Sequence, residues 1–163
     1  MKSLTRITTL SLVVVSGMAG AQAVRTEKTL SLELANQIAA ASVAACHANG
    51  YAVTATVVDR AGIVRAMQRA DNAGPHTVGA SQQKAYTSAS ARNNTLAMME
   101  ASQKNPGAAY LVHIPGFLLL GGGVPVRAGN EVIGAVGVGG APGGHLDEQC
   151  AVAAIEKVKD QLK

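Results

Sequence analysis

The residues from 116 to 140 constrain the fold of this chain more than any other stretch, because nine glycines are interspersed there with apolar, strand-forming residues. Residues 124–127 and 132–139 are rich in valine and flank a turn sequence, Ala-Gly-Asn-Glu, at 128–131. Two such runs joined by a short glycine-containing turn predict an antiparallel hairpin. The core is therefore expected to form around a sheet.

The second strand of this hairpin has an unusually bare face. Alternation places Ala135, Gly137 and Gly139 on the same side of the strand, so the end of that face has almost no side chains. Such a strip allows either a neighbouring backbone or a flat ligand to come close. Packing against a helix is the commoner use of strand glycines, and the predicted helices are rich in alanine, which favours packing. The sequence leaves both alternatives open.

The glycines do not match the known phosphate-binding loops. A P-loop needs Lys and then Ser or Thr after its last glycine, whereas Gly121 and Gly122 lead into Gly123 and a valine. A dinucleotide-binding fingerprint could start at Gly137, but Pro142 stands at its third glycine position. These observations argue against nucleotide binding.

The rest of the chain alternates helical and strand patterns. Apolar residues recur at helical spacing in the first segment, and two β-branched runs follow it, separated by a turn sequence that contains Asp and Gly. The order is helix, hairpin, two helices, strand and hairpin, helix, which predicts a single α+β domain. The predicted helices are 30–49, 77–92, 95–104 and 145–162, and the first hairpin is 52–59 with 62–69.

The first 23 residues have the features of a secretory signal peptide. Lys2 and Arg6 precede an apolar run, and small residues end at Ala23 in an A-x-A pattern, so we expect cleavage after Ala23 and a mature domain over 24–163. The apolar run is about half of the ~20 residues that a spanning helix needs, so no membrane segment is expected in the mature chain. The predicted location is periplasmic or secreted.

Charge and cysteine content limit the remaining classes. The formal net charge of +4 falls by two when Lys2 and Arg6 leave with the leader, which is too little for a nucleic-acid surface. Cys46 and Cys150 would both reach an oxidising compartment, where a disulfide is one outcome and two buried thiols the other. The sequence does not decide between them.

Two histidines are candidate ligands. His113 lies between apolar neighbours before a Pro-Gly pair, and His76 opens the second helix. Neutral imidazole among apolar walls suits haem iron, although a histidine bonded to backbone is the more frequent case. Lys84 and Arg92 recur near one face of the second helix, where they would either pair with ligand carboxylates or stay solvated. No zinc-site spacing, nucleophile motif or triad is present, so no catalytic residue is assigned.

Several segments together resemble one known family. They are VVDRAGIVRAMQR (57–69), KAYTSA (84–89) with Thr95 after it, PGFLLLGGGVPV (115–126) and NEVIGAVGVGGAPGGHLDEQCAVAA (130–154). Their order resembles that of the GlcG/HbpS-like, or haem-degrading-domain, proteins over about residues 30–162. The resemblance implies an α+β domain whose five-stranded antiparallel sheet has helices on both faces, in a homo-oligomer.

The resemblance also implies a function. Some members bind haem, and others accompany cobalamin-related enzymes or glycolate operons. The haem-sensing type has a Glu-x-x-Glu pair associated with iron, which is missing at residues 78–81. We expect an exported haem-binding protein, and the alternative is an enzyme or accessory domain for a small organic acid or corrinoid, served by Asp59, Lys84, Arg92 and Thr95. The expected haem site comprises His113, His76, Lys84, Arg92, Thr95, Gly121, Gly122, Gly137 and Gly139.

Overall fold

A computed structural model describes residues 23–163, so the predicted signal peptide lies outside the described residues apart from its last position. The described chain forms an α+β domain of four helices, four strands and two short 3-10 turns. None of its helices is long and apolar enough to cross a membrane. The elements are α1 (Leu32–Ala48), β1 (Thr54–Asp59), β2 (Val64–Arg69), α2 (His76–Ala91), α3 (Thr95–Lys104), a 3-10 turn (Ala109–His113), β3 (Gly123–Ala128), β4 (Glu131–Gly139), α4 (Gly144–Lys157) and a second 3-10 turn (Lys159–Gln161).

The sheet is antiparallel throughout, with strand order β2-β1-β4-β3. Four strands are present among residues 23–163, whereas the resemblance implied five. The apolar run 117–120 does not join the sheet, because helix side chains take its backbone groups. Thr87 Oγ1 accepts a hydrogen bond from Leu118 N at 2.8 Å, and Thr95 Oγ1 donates one to Leu120 O at 2.8 Å.

One face of the sheet carries the main apolar core. Helices α1 and α4 pack together over this face, where Ala55 and Val57 of β1 stand beside Val138 and Val136 of β4. The same four positions are fully buried. The alternation expected from the sequence therefore directs the larger side chains towards α1 and α4.

The opposite face is covered by α2 and is built from small residues. Thr54 and Thr56 of β1 face this helix, and their hydroxyls lie 2.7 Å from the hydroxyls of Thr77 and Ser81. These pairs satisfy buried polar groups that would otherwise lose their contacts with water. Helices thus lie on both faces of the sheet, as predicted.

Because Gly137 has no side chain, the backbone of α2 packs directly against the backbone of β4 at this position. A β-carbon at Gly137 would lie 2.1 Å from Ser81 O and 2.5 Å from Ala85 N, so no other residue fits there without displacing the helix. Gly139 is also buried beneath α2 but is less tightly covered. The bare strip predicted from the sequence is therefore filled by a helix, and a flat ligand has no access to Gly137 or Gly139.

We predict that Gly137→Ala destabilises the fold whereas Gly139→Ala does not. A β-carbon at Gly139 meets its nearest neighbours at 3.5 Å, which is ordinary van der Waals contact. Overpacking typically costs about 1–3 kcal/mol, so urea denaturation should show this loss for Gly137→Ala alone. Equal midpoints for the two variants would contradict the close approach of α2.

A disulfide joins the two helices on the core face. Cys46 near the end of α1 is bonded to Cys150 in α4, with a Cα–Cα separation of 5.4 Å, and both residues are buried. The bond settles the question that the sequence left open. It closes a loop between positions 104 residues apart, so it restricts the unfolded chain over most of the domain.

We predict that removing the disulfide lowers the free energy of unfolding by about 2–4 kcal/mol. The bond restricts the unfolded chain over a long loop, and its removal lets the unfolded chain regain that entropy. Denaturation with and without reductant measures this difference. The double variant Cys46→Ser/Cys150→Ser is the control, because its stability should match that of the reduced protein and should not respond to reductant. A protein with the same midpoint in both conditions would exclude a stabilising bond.

Candidate functional site

An ion pair lies in the interior between the two helical layers. Lys84 of α2 is 1% exposed, and its Nζ donates hydrogen bonds to Asp147 Oδ2 at 2.8 Å and to Val138 O at 2.9 Å. Asp147 belongs to the first turn of α4, on the other side of the sheet. The pair passes beside Gly122, where a β-carbon would lie 3.0 Å from Lys84 Nζ and 2.8 Å from Asp147 Cβ. Lys84 therefore connects the two faces of the sheet.

The environment of Asp147 changes its acidity. Burial raises the pKa of this carboxyl above its ordinary value, while Lys84 and hydrogen bonds from the backbone of Ala141 and Gly140 act in the opposite direction. The folded chain consequently holds the Asp147 proton more tightly than the unfolded chain does. The contribution of this group to the free energy of unfolding falls as the pH rises from its unfolded pKa to its folded pKa.

Thr95 and Glu148 fix the loop that precedes β3. Thr95 Oγ1 accepts from Gly123 N at 2.8 Å in addition to its bond to Leu120 O. Glu148 accepts hydrogen bonds from Leu96 N at 3.1 Å and Gly122 N at 3.3 Å, so it holds both the start of α3 and the loop. Lys84, Thr95, Asp147 and Glu148 are called the interior polar cluster below.

Four of the residues that the sequence assigned to a ligand lie in the interior polar cluster or beside it. Lys84, Thr95, Gly121 and Gly122 do come together, but Lys84 is paired with Asp147, and Thr95 is bonded to backbone. A β-carbon on Gly121 would lie 2.8 Å from the carbonyl carbon of Gly144, so this glycine serves a backbone contact. All four residues are buried. The cluster joins α2, α3 and α4; Lys84, Thr95 and Asp147 are buried, and the half-buried Glu148 lies at its edge.

We predict that Asp147→Leu costs about 3–5 kcal/mol of stability, because it leaves the Lys84 ammonium buried without a counter-ion. The double variant Lys84→Met/Asp147→Leu should recover much of this loss, since no isolated charge remains. Equilibrium denaturation of the single and double variants measures the coupling.

An exposed ion pair supplies the control for this measurement. Glu100 and Lys104 lie one turn apart on α3 at 3.7 Å and are largely solvated, so breaking their contact should change stability by no more than about 0.5 kcal/mol. A loss at Asp147 as small as the loss at Glu100 would rule out a stabilising interior pair.

Arg92 and Asp59 lie apart from the interior polar cluster. Arg92 follows α2 in a left-handed conformation with φ 56°, is exposed, and accepts a hydrogen bond at its carbonyl from Arg127 at 2.8 Å. Asp59 ends β1, where Oδ1 accepts from Ala61 N and Ile63 N within the turn. The set Asp59, Lys84, Arg92 and Thr95 therefore does not converge on one pocket.

Both candidate histidines are exposed. His76 is the first residue of α2, and its ring lies against Gly74, where a β-carbon would be 2.7 Å from His76 Cε1. His113 ends the 3-10 turn, with its ring centroid 6.0 Å from that of Tyr110. Among residues 23–163, no group of three or more His, Cys, Asp or Glu side chains is placed to hold a metal ion.

A groove of about 320 Å³ runs along the outer side of α2. Four residues of α2 form one wall of the groove, and their spacing of i, i+3, i+4 and i+7 places them on one exposed face of the helix. The turn between β1 and β2 and the loop after the first 3-10 turn supply the other walls. The groove is lined by Gly62, Gly79, Gln82, Gln83, Tyr86, Pro115 and Gly116, none of which carries a formal charge at neutral pH.

Tyr86 is held in place by glycines from two distant loops. A β-carbon on Gly62 would lie 2.7 Å from Tyr86 Cδ2, and one on Gly116 would lie 3.3 Å from Cε1, so both loops reach the ring only because they lack side chains. Their φ angles of +81° and +84° also favour glycine. Phe117 packs against the ring at 75°, with centroids 6.2 Å apart. Tyr86 nevertheless remains 38% exposed.

The two histidine-bearing segments lead to this groove. Gly79 lies three residues after His76 on α2, and Pro115 lies two residues after His113. Neither histidine lines the groove itself. Tyr86 was not among the residues predicted from the sequence, although the KAYT motif contains it and its spacing from Gly79 and Gln82 indicates a common helical face.

A wider depression of about 440 Å³ lies along α4. Its lining includes His145, Glu148 and Glu156. Glu148 already accepts a hydrogen bond from the start of α3. Of the three titratable side chains named, only His145 and Glu156 therefore remain to contact a ligand, and they lie on an open surface. The groove beside α2 is the better candidate site.

Comparisons with known proteins agree with this architecture. The sequence profile described as "Haem degrading protein HbpS-like" matches residues 30–156. The chain is 37% identical to Protein GlcG of Escherichia coli (strain K12) over 114 residues, which cover 70% of this chain and 84% of the relative.

Solved structures show the same fold. A double mutant of Streptomyces reticuli HbpS superposes with a TM-score of 0.79 at 34% identity, covering 93% of this chain and 99% of the other. A complex of PduOC with haem gives a TM-score of 0.70 at 22% identity, covering 78% and 94%. The latter likeness concerns the fold alone.

Proposed function

This chain belongs to the HbpS-like family, and from that premise we propose that it binds haem in the groove beside α2. The observation that carries the proposal is the groove itself, which combines an immobilised aromatic side chain, glycine walls and amide groups without any charged lining residue. Flat, weakly polar walls with a few polar groups are typical of cofactor sites.

The residues of the groove fit the parts of a haem. Gly62 and Gly116 let their loops close against the Tyr86 ring and so fix this wall of the groove, whereas nothing lies within 4 Å of the position of a Gly79 β-carbon. Gln82 and Gln83 offer amide donors to the propionates. The volume is at the lower end of the roughly 300–1,000 Å³ range of small-molecule sites, so the groove would cover part of the macrocycle.

Histidines are the proposed source of an imidazole for the iron. His113 and His76 lie on the two segments that lead to the groove, and their exposure leaves both rings accessible. Arg92 is also exposed and remains a proposed partner of a propionate. Lys84 is engaged with Asp147, and Gly137 lies beneath α2, so neither supports the haem site.

The relatives support a haem function at two levels. The family description refers to haem, and HbpS shares the fold at 34% identity. PduOC, which has been crystallised with haem, shows at 22% identity that this fold can hold haem. The alternative of an organic-acid or corrinoid enzyme gains no support from the groove, because no cation lines it to pair with a carboxylate.

We further propose an exported homo-oligomer. A buried disulfide is typical of proteins in oxidising compartments, which supports a periplasmic or secreted location. Cleavage after Ala23 is proposed from the sequence alone. Tyr110, Val112 and Ile114 expose large apolar side chains beside the groove. Exposed apolar residues in one segment are typical of contact surfaces, which supports self-association.

We predict that hemin added to the purified protein shifts its Soret absorption and that Gly79→Trp abolishes this shift by filling the groove. The substitution replaces a helical glycine, so it should not weaken α2. Ala97→Trp, on the exposed side of α3, is the matched control and should bind hemin like the wild type. Hemin spectra unaffected by the protein would refute the proposal.

The same titration tests the histidines. His113→Ala or His76→Ala should alter the bound spectrum, because removal of an axial imidazole changes the field at the iron. His47→Ala, at an exposed position in the last turn of α1, provides the control. If both groove-side variants keep the wild-type spectrum, the iron takes no imidazole from them.

A further inference from the structure

We propose that Tyr86 is an iron ligand in this groove, supplying its phenolic oxygen from the side of α2. The inference rests on the proposed haem function and extends it to a residue that the sequence motifs did not assign. Protein groups that hold haem iron are His, Cys, Met and Tyr side chains. Of the seven residues that line the groove, Tyr86 is the one with such a side chain.

The position of Tyr86 suits a ligand. Its ring is held between Gly62 and Gly116 and against Phe117, so the oxygen is restricted to a small region before any ligand arrives. A fixed ligand loses little conformational entropy on binding. The tyrosine is exposed, which keeps the groove side of the ring accessible.

The Tyr86 hydroxyl is also unassigned within the fold. It makes no hydrogen bond to any of residues 23–163, whereas the neighbouring Thr87 hydroxyl is bonded to both Gln83 O and Leu118 N. Because the side chain is exposed, this hydroxyl needs no partner within the fold and is available to a ligand. Tyr86 coordinates ferric iron through oxygen as the phenolic proton passes to the solvent, and no oxidant or reductant is needed.

A tyrosine ligand and a histidine ligand can be distinguished by the spectra of the bound haem. A phenolate ligand introduces a phenolate-to-iron charge-transfer absorption and tyrosinate vibrations that an imidazole does not produce. A merely structural tyrosine would affect neither. A tyrosine that only stacked on the porphyrin would matter equally for a porphyrin without iron.

The test compares wild type, Tyr86→Phe and Tyr110→Phe in titrations with hemin and with metal-free protoporphyrin. Tyr86→Phe keeps the ring in its glycine slot and removes one unbonded hydroxyl, so the fold should be retained, which circular dichroism melting verifies. Tyr110, exposed on the 3-10 turn, is the control tyrosine. Visible absorption and resonance Raman spectra report the ligand.

We expect the charge-transfer band and tyrosinate vibrations in wild type and Tyr110→Phe and their loss in Tyr86→Phe. Hemin affinity should fall by roughly tenfold or more in Tyr86→Phe, since even outer-shell partners of metal ligands change affinity by this much. Protoporphyrin affinity should be equal in all three proteins.

The outcomes separate the two proposals. If wild type binds hemin and Tyr86→Phe keeps both the spectrum and the affinity, haem binding stands and the Tyr86 ligand is overturned. If Tyr86→Phe weakens protoporphyrin as much as hemin, the residue acts by contact with the ring and not through iron. If wild type binds neither porphyrin, the proposed function itself fails, and the ligand assignment falls with it.

Discussion

Helix α2 lies so close to β4 that the position of Gly137 admits no side chain, and much of the domain depends on this contact. Ser81 O and Ala85 N occupy the space in which a β-carbon would stand. The short distance fixes the depth of the helix, which allows Thr77 and Ser81 to bond the hydroxyls of β1. It also determines which residues of α2 face outward. The candidate groove is therefore a consequence of packing on the opposite side of the same helix.

The interior polar cluster depends on the same placement. With α2 held against the sheet, Lys84 extends beside Gly122 and reaches Asp147 on the far helical layer. The gain from this pair has to offset the cost of burying both charges, and the raised pKa of Asp147 shows that burial outweighs the attraction to Lys84 at that carboxyl. The pair links α2 to α4, and removal of one partner alone would leave the other charge buried without compensation. The disulfide between α1 and α4 then fixes the second helical layer.

Local patterns predicted most of the fold, and long-range contacts account for what they missed. Helical spacing and turn residues placed all four helices and both hairpins, because these signals are contained within a few neighbouring residues. The run 117–120 is apolar enough for a strand, but Thr87 and Thr95 take its backbone groups, and no local rule indicates that competition. Lys84 was assigned to a ligand because its partner lies 63 positions away. Ser81 and Ser88, on the same side of the helix, are buried as well, but serine is polar and its presence in the sequence does not indicate burial.

The residues that line the groove beside α2 carry no charge, which limits the kind of molecule that the groove can bind. A small dicarboxylate or phosphate would need a cation to offset its lost hydration, and the one lysine on this helix is committed to Asp147. A large, planar, mostly apolar molecule with its charges at the periphery has no such need, because its carboxylates can remain in water while the ring contacts glycine backbone and Tyr86. The wall glycines 62 and 116 come from loops far apart in sequence, so they meet at the tyrosine only after β1, β2 and α2 have assembled. The groove is thus a property of the folded domain, because Gly62, Gly116 and Phe117 hold the exposed Tyr86 ring from other parts of the chain.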